Sequence, residues 1–125
     1  MLKDAAKYYR RILDSLTGGL ISVDMSGTVG YINPMAGKIL HWDETHKSLE
    51  TDYNKAFESF PALRQVIREA IETSKTVRRA EISIMHASVP LTIGYSTMQV
   101  RDRQGRNLGV IVNFQDISFA GGGKK

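Results

Sequence analysis

The chain has 125 residues and no cysteine, so it is one domain in size and lacks disulfides, cysteine-ligated zinc, thiol catalysis and any flavin photochemistry that needs a cysteinyl adduct. Its net charge of +4 falls to +2 without Lys124 and Lys125, and the basic residues are scattered: Arg10-Arg11, Arg78-Arg79, then Arg101, Arg103 and Arg106 around a turn. No basic stripe with interleaved aromatics forms, so nucleic acid is not an expected partner.

No window approaches the ~18 consecutive apolar residues of a membrane span. Met1 to Lys7 lacks the apolar stretch of a signal peptide. A cytoplasmic chain is expected, with no membrane contact by this segment.

Residues 3–16 read as a helix. Leu2, Ala6, Tyr9, Leu13 and Leu16 recur at spacings of four and three, and Ala5 and Ile12 broaden the stripe. Two heptads leave two readings open, a helix packed on its own domain or a dimer seam. Thr17-Gly18-Gly19 stops the helix. Leu20 to Asp24 alternates with Ile21 and Val23 on one face. Asp24-Met25-Ser26-Gly27 carries turn chemistry, and Thr28 to Asn33 returns as the second strand of a hairpin.

Asn33-Pro34 marks the next helix start. Asn is a strong N-cap, and Pro suits the first helical position, where its missing N–H is no loss. The short helix from Pro34 to Leu40 is expected to bury Met35, Ile39 and Leu40. Residues 41–49 are polar and irregular, with Trp42 anchoring that loop on the core, and residues 51–57 hold a helical turn or two.

Ser59-Phe60-Pro61 opens a longer helix. Leu63, Val66, Ile67, Ala70 and Ile71 line one face of it, while Arg64, Gln65, Arg68, Glu69 and Glu72 take the other. It fades at Thr73-Ser74-Lys75. Three strands follow: Val77 to His86 with Ala80, Ile82 and Ile84 on one side, Val89 to Asp102 with Leu91, Ile93, Tyr95 and Thr97, and Arg106 to Ser118 after a second turn, Asp102 to Gly105. The expected fold class is α+β, a five-stranded antiparallel sheet with helices on one face and an N-terminal amphipathic flanking helix.

Three stretches resemble a PAS domain, in order and spacing. Leu16 to Gly27 is similar to the family's opening, a helix end leading into a strand, an Asp and a Gly turn. Tyr31-Ile32-Asn33-Pro34-Met35-Ala36 is similar to its strand-Asn-x-x-Ala helix start. Val100 to Gly105, with Asp116-Ile117-Ser118, resembles its last hairpin and closing Asp-Ile-Thr motif. The resemblance covers residues 12–118 and is nearest to PAS domains of bacterial sensor histidine kinases. After the short helix the family often has Gly-Tyr-x-x-x-Glu-Leu-x-Gly, where this chain has His41 to Leu49, so the loop that often wraps a cofactor is atypical. The turn around His86 to Pro90 is also short.

The resemblance implies a sensor or signal-relay module of a bacterial two-component protein, regulating an attached kinase or other output domain through dimerisation and, where one is bound, a small apolar ligand. It divides the chain into an N-terminal dimerisation and signal helix (1–16), a PAS domain (17–118) and a flexible tail, native or added (119–125). Leu2, Tyr9, Leu13 and Leu16 are the seam candidates. Asp116 would hold the junction between sheet and output, besides capping a turn.

By analogy with flavin-binding relatives, Ile21, Val23, Ile82, Ile84, Ile93, Tyr95, Thr97, Val110, Val112 and Phe114 would face inward. Only Tyr95 and Thr97 of these bring polar atoms. The interior is therefore a filled core, or a small apolar pocket with Ile84, Tyr95, Thr97, Val112 and Phe114 as its candidates. No cofactor is expected; haem through His41 or His86, or flavin, is the alternative, although the long helix lacks the histidine a haem-binding relative usually supplies. His46 lies in a polar loop, and three scattered histidines make no metal site by spacing. No phosphate loop or nucleophile elbow occurs, and the segment reads as non-enzymatic. A small-molecule or cofactor receptor, or a ligand-free interaction scaffold of a transcriptional regulator, is the competing reading.

Overall fold

The computed structural model describes residues 2–43, 45–86 and 89–118. Residues 119–125, read above as a tail, lie outside the described residues. In chain order the elements are α1 (Leu2–Asp14), β1 (Gly19–Asp24), β2 (Val29–Ile32), α2 (Pro34–Leu40), α3 (Tyr53–Ala56), α4 (Pro61–Thr73), β3 (Val77–His86), β4 (Val89–Arg101) and β5 (Asn107–Asp116). The strands form one antiparallel sheet in the order β2-β1-β5-β4-β3, so the last strand in sequence is the central one.

The β1–β2 and β4–β5 turns use the same device. Asp24 Oδ1 accepts the backbone N–H of Ser26 and of Thr28, each at 3.0 Å, and Gly27 takes φ 93. Asp102 Oδ1 accepts the N–H of Gln104 and of Arg106, each at 2.9 Å, and Gly105 takes φ 82. A short acceptor side chain closes the loop, and glycine supplies the left-handed residue that follows it.

Helix α2 begins at Asn33, whose side chain caps the N–H of Ala36, and ends at His41 in the left-handed region, φ 53. Its buried positions are Ala36 and Leu40, four apart; Met35 and Ile39 are only half-buried, against expectation. The cap turns the Ala36 side of the helix onto the sheet. In the polar loop after it, Thr45–Ser48 forms a 3₁₀ turn. Trp42 packs on Phe57 and Phe60 with ring centroids 5.3 and 5.2 Å apart, as its anchoring role requires.

One core lies between the sheet and the helices. Ile21, Val23, Ile93, Val110 and Val112 come from the sheet, and Leu40, Phe57, Phe60, Leu63 and Ile67 from the helical layer, all buried. Each such side chain contributes about 1.5–3 kcal/mol on leaving water. The parity read from the sequence is the parity observed, except that Ala80, Ile82 and Tyr95 are half-buried. A β-bulge between Val77 and Ala80, with Arg79 at φ 54, turns the start of β3.

Candidate functional site

The five pocket candidates separate into two groups. Ile84, Val112 and Phe114 belong to the packed core. The tip of the Phe114 ring sits over β1: a Cβ added to Gly19 would meet it at 2.5 Å. Tyr95 and Thr97 instead border a cleft of about 250 Å³ between α4 and the start of β3, with Val66, Ala70 and Val77 as apolar walls and Glu69, Thr73 and Lys75 at the rim. Burial, and after it the nearby Glu69 carboxylate, push the Tyr95 phenol above its ordinary pKa. Thr97 Oγ1 accepts the Val77 N–H at 3.2 Å, so its acceptor is engaged by the β3 bulge.

The described residues do not fit haem or flavin. His41 and His46 are exposed, outside the core, and the His86 side chain lies outside the described residues. The inner sheet face is covered by aromatic and aliphatic side chains. Among the described residues, no buried side-chain polar atom lacks a hydrogen-bond partner, so none waits for a cofactor group.

At the other end, α1 stands away from the core. Residues 5–12 are all exposed, including Tyr8 and Tyr9 at 63% and 62% and Ile12 at 43%; Leu16, just past the helix, is 40% exposed. Leu13 is half-buried, and the Leu2 side chain lies outside the described residues. The fastenings of α1 to the domain are polar. The Tyr31 hydroxyl of β2 donates to Asp14 Oδ1, and the Arg10 guanidinium sits 5.5 Å from the Tyr31 ring centroid. Burial, then the bond to Asp14, hold the Tyr31 phenol well above its ordinary pKa.

Asn33 does more than cap a helix, which is all its sequence position announced. It is fully buried. Its Oδ1 accepts the N–H of Ala36 and of Leu20, both at 2.9 Å. Its Nδ2 donates to Gly18 O at 2.9 Å and to Leu13 O at 3.3 Å. One amide thus joins α1, the linker, β1 and α2.

The family model of the PAS fold matches residues 7–117. The chain belongs to the PAS family. Among solved structures, it is similar to the PAS domain of BvgS from Bordetella pertussis, with a TM-score of 0.70 and 18% identity over 92% of this chain and 88% of that one. An RNA-binding light-oxygen-voltage receptor gives 0.69 and 17% over 94% of this chain and 34% of that one. The PAS domain of nitrogen regulation protein NR(II) from Vibrio parahaemolyticus gives 0.61 and 14% over 87% and 97%. No curated protein matches. At these identities the likeness to solved structures shows the fold alone. The family makes the chain a signalling and sensing domain.

The closing motif of this PAS domain is folded back onto the sheet. Asp116 Oδ1 accepts the Ser118 N–H at 2.9 Å, which is the capping role. Ser118 Oγ accepts the Thr92 N–H at 2.6 Å and donates to Thr92 O at 3.3 Å, while the Ile117 N–H donates to the same carbonyl at 2.9 Å. On the outer face of β5, Asn113 and Gln115 are exposed and Ile111 is half-buried. No helix among the described residues is long and apolar enough to cross a membrane.

Proposed function

We propose that the chain is the cytoplasmic sensor and relay module of a bacterial two-component protein, a sensor histidine kinase, working as a homodimer that regulates an attached output domain. Residues 1–16 are its dimerisation and signal helix and residues 17–118 its sensing domain. The module itself is non-enzymatic. Its resemblance to kinase PAS domains supports the kinase assignment.

One observation carries the dimer. Helix α1 exposes Tyr8, Tyr9 and Ile12 while its polar side is fastened to β2, so its apolar stripe is not spent on its own domain. A stable pair needs about 1,200–2,000 Å² of buried surface. A single two-heptad stripe falls short of that, and the outer sheet face, where Met98 is 45% exposed beside Ile111, supplies more. Tyr9 and Leu16 keep their place in the seam. Leu13, half turned to the domain, is better left unmutated.

The test is sedimentation of the native chain and of Tyr9→Asp with Ile12→Asp. The native chain is expected to be a dimer and the double variant a folded monomer. A native chain that stays monomeric at high micromolar concentration refutes the seam.

The α4–β3 cleft favours a second reading, a receptor for a small, mostly apolar ligand. At about 250 Å³ it falls just under the ~300–1,000 Å³ of drug-sized sites. Denaturing mass spectrometry of freshly purified protein, with its visible absorbance, tests this. A colourless preparation with no co-purifying mass and no thermal shift across a metabolite panel leaves the ligand-free scaffold as the reading.

A further inference from the structure

Helix α1 is held by polar contacts at its C-terminal end rather than by packing along its length. Its residues 5–12 are exposed, and its C-terminal end meets the domain at Asn33 and Tyr31. Asn33 is not a surface anchor. It is fully buried, all four of its side-chain hydrogen bonds go to backbone, and they reach four different segments. Two of these segments, β1 and α2, carry core side chains: Ile21 and Val23, and Ala36 and Leu40. The other two are the end of α1 and the Gly18 linker.

We propose that Asn33 is the coupling residue between the packed core and α1. A displacement of α2 or of β1 draws the Asn33 amide with it, because the Ala36 and Leu20 N–H groups are bound to its oxygen. The Leu13 and Gly18 carbonyls then follow, because they are bound to its nitrogen. The direction of α1, and so of its apolar stripe, is set by the core through one side chain. Tyr31 is the pivot, holding Asp14, the residue next to the moving Leu13 carbonyl. The consequence for pairing rests on the dimer reading above; the coupling within one chain does not.

Asn33→Asp separates this role from helix capping. The carboxylate keeps the oxygen that accepts from Ala36 and Leu20, and negative charge is favoured at a helix start. It replaces the donor by a second oxygen facing two carbonyl oxygens, and so pushes the α1 end away. Asn33→Ser also keeps a capping acceptor and lacks the amide donors. Ile67→Val, a core change remote from this amide, is the control for general loosening.

The chain has no cysteine, so nitroxides placed at Lys7→Cys in α1 and Ser83→Cys in β3 report one distance within a chain when labelled protein is diluted into unlabelled. In folded Asn33→Asp and Asn33→Ser the distance is expected to shift or broaden. Amide exchange from Tyr9 to Leu13 is expected to rise roughly tenfold, while Ile67→Val changes neither. Native distance and exchange in the folded Asn33 variants, or an equal response to Ile67→Val, overturns the proposal. Should both Asn33 variants fail to fold, Leu40→Ala with Asn33 intact must move the α1 distance, and an unmoved distance overturns it. Sedimentation of the native chain decides the dimer separately: a monomer removes the pairing consequence and leaves the spin distance to decide the coupling.

Discussion

Phe114→Ala tests whether the core is filled where related domains could hold a ligand. Phe114 is 2% exposed and its ring lies against the backbone of Gly19, its register partner on β1. Removing the ring forfeits about 1.5–3 kcal/mol of transfer free energy. Its floor is a glycine in a paired strand, which has no side chain to move into the gap. A residual cavity of roughly 80 Å³ then adds about 2 kcal/mol at ~24 cal/mol per Å³. The expected loss is about 4 kcal/mol, a large part of the ~5–15 kcal/mol that holds a domain folded. Gly19→Ala alone overpacks the same site, at about 1–3 kcal/mol. Together the two changes are expected to cost at least ~1 kcal/mol less than their sum, because the new methyl occupies vacated space. Urea unfolding followed by the fluorescence of Trp42, the single tryptophan, measures each variant. The cavity is apolar and should stay dry, so benzene should raise the Tm of Phe114→Ala and not of the native chain. A loss below ~1 kcal/mol, or two changes additive within ~0.5 kcal/mol, refutes the filled-core reasoning.

Three further outcomes follow from particular contacts. The Ser26 hydroxyl, then the Thr28 N–H, hold the Asp24 carboxyl below its ordinary value. A depressed acid stabilises the fold above its unfolded pKa and loses that contribution as pH falls below about 4, so the stability gap between native chain and Asp24→Asn should close there in acid unfolding series. Tyr31 behaves in the opposite direction: its raised pKa gives stability fully present below pH ~10 and lost as pH rises beyond it. Tyr31→Phe should flatten that alkaline loss, and in the native chain Tyr31 should be among the last of the five tyrosines to ionise by tyrosinate absorbance. Ser118→Ala should cost about 0.5–1.5 kcal/mol and speed exchange of the Thr92 amide, and an unchanged Thr92 amide would mean that the closing motif is not held through that hydroxyl.

Local chemistry was legible in the chain, and long-range chemistry was not. The two Asp-to-Gly turns and the Asn-Pro helix start are signals carried by neighbouring residues, and they stand where they were read. Strand parity survived because alternation is a property of the strand itself. The α1 stripe showed that a partner surface exists without showing whose, since an amphipathic helix has the same pattern on its own domain or on another. Of the pocket candidates, Tyr95 and Thr97 were separable as the only polar ones, yet the cleft they share depends on where α4 crosses the sheet. The donors of Asn33 reach 15 and 20 residues back along the chain, and no local motif encodes that reach. The Asp14–Tyr31 bond spans 17 residues and was equally invisible.

The two ends of the PAS domain are one place in the fold. Gly19 pairs with Phe114 and Leu20 with Asn113, so the entry into the sheet from α1 lies beside the exit toward Asp116. A Cβ on Gly18 would come within 3.0 Å of the Phe114 carbonyl, so there is no room for a side chain between them. Leu16, Gly18 and Leu20 line one outer groove with Asn113 and Gln115. A helix laid on that groove touches both the arriving and the departing chain. The inner face at the same position is the Phe114 ring. Any change that lifts this ring strains the β1–β5 pairing at the registers that meet the Asn33 amide through Leu20. On the proposed reading, an event in the core, a bound molecule or a shifted α2, would reach α1 through the Asn33 amide and Asp116 through β5. A packed core is compatible with the sensing proposed above, because tightly packed interiors shift between discrete arrangements rather than deforming continuously.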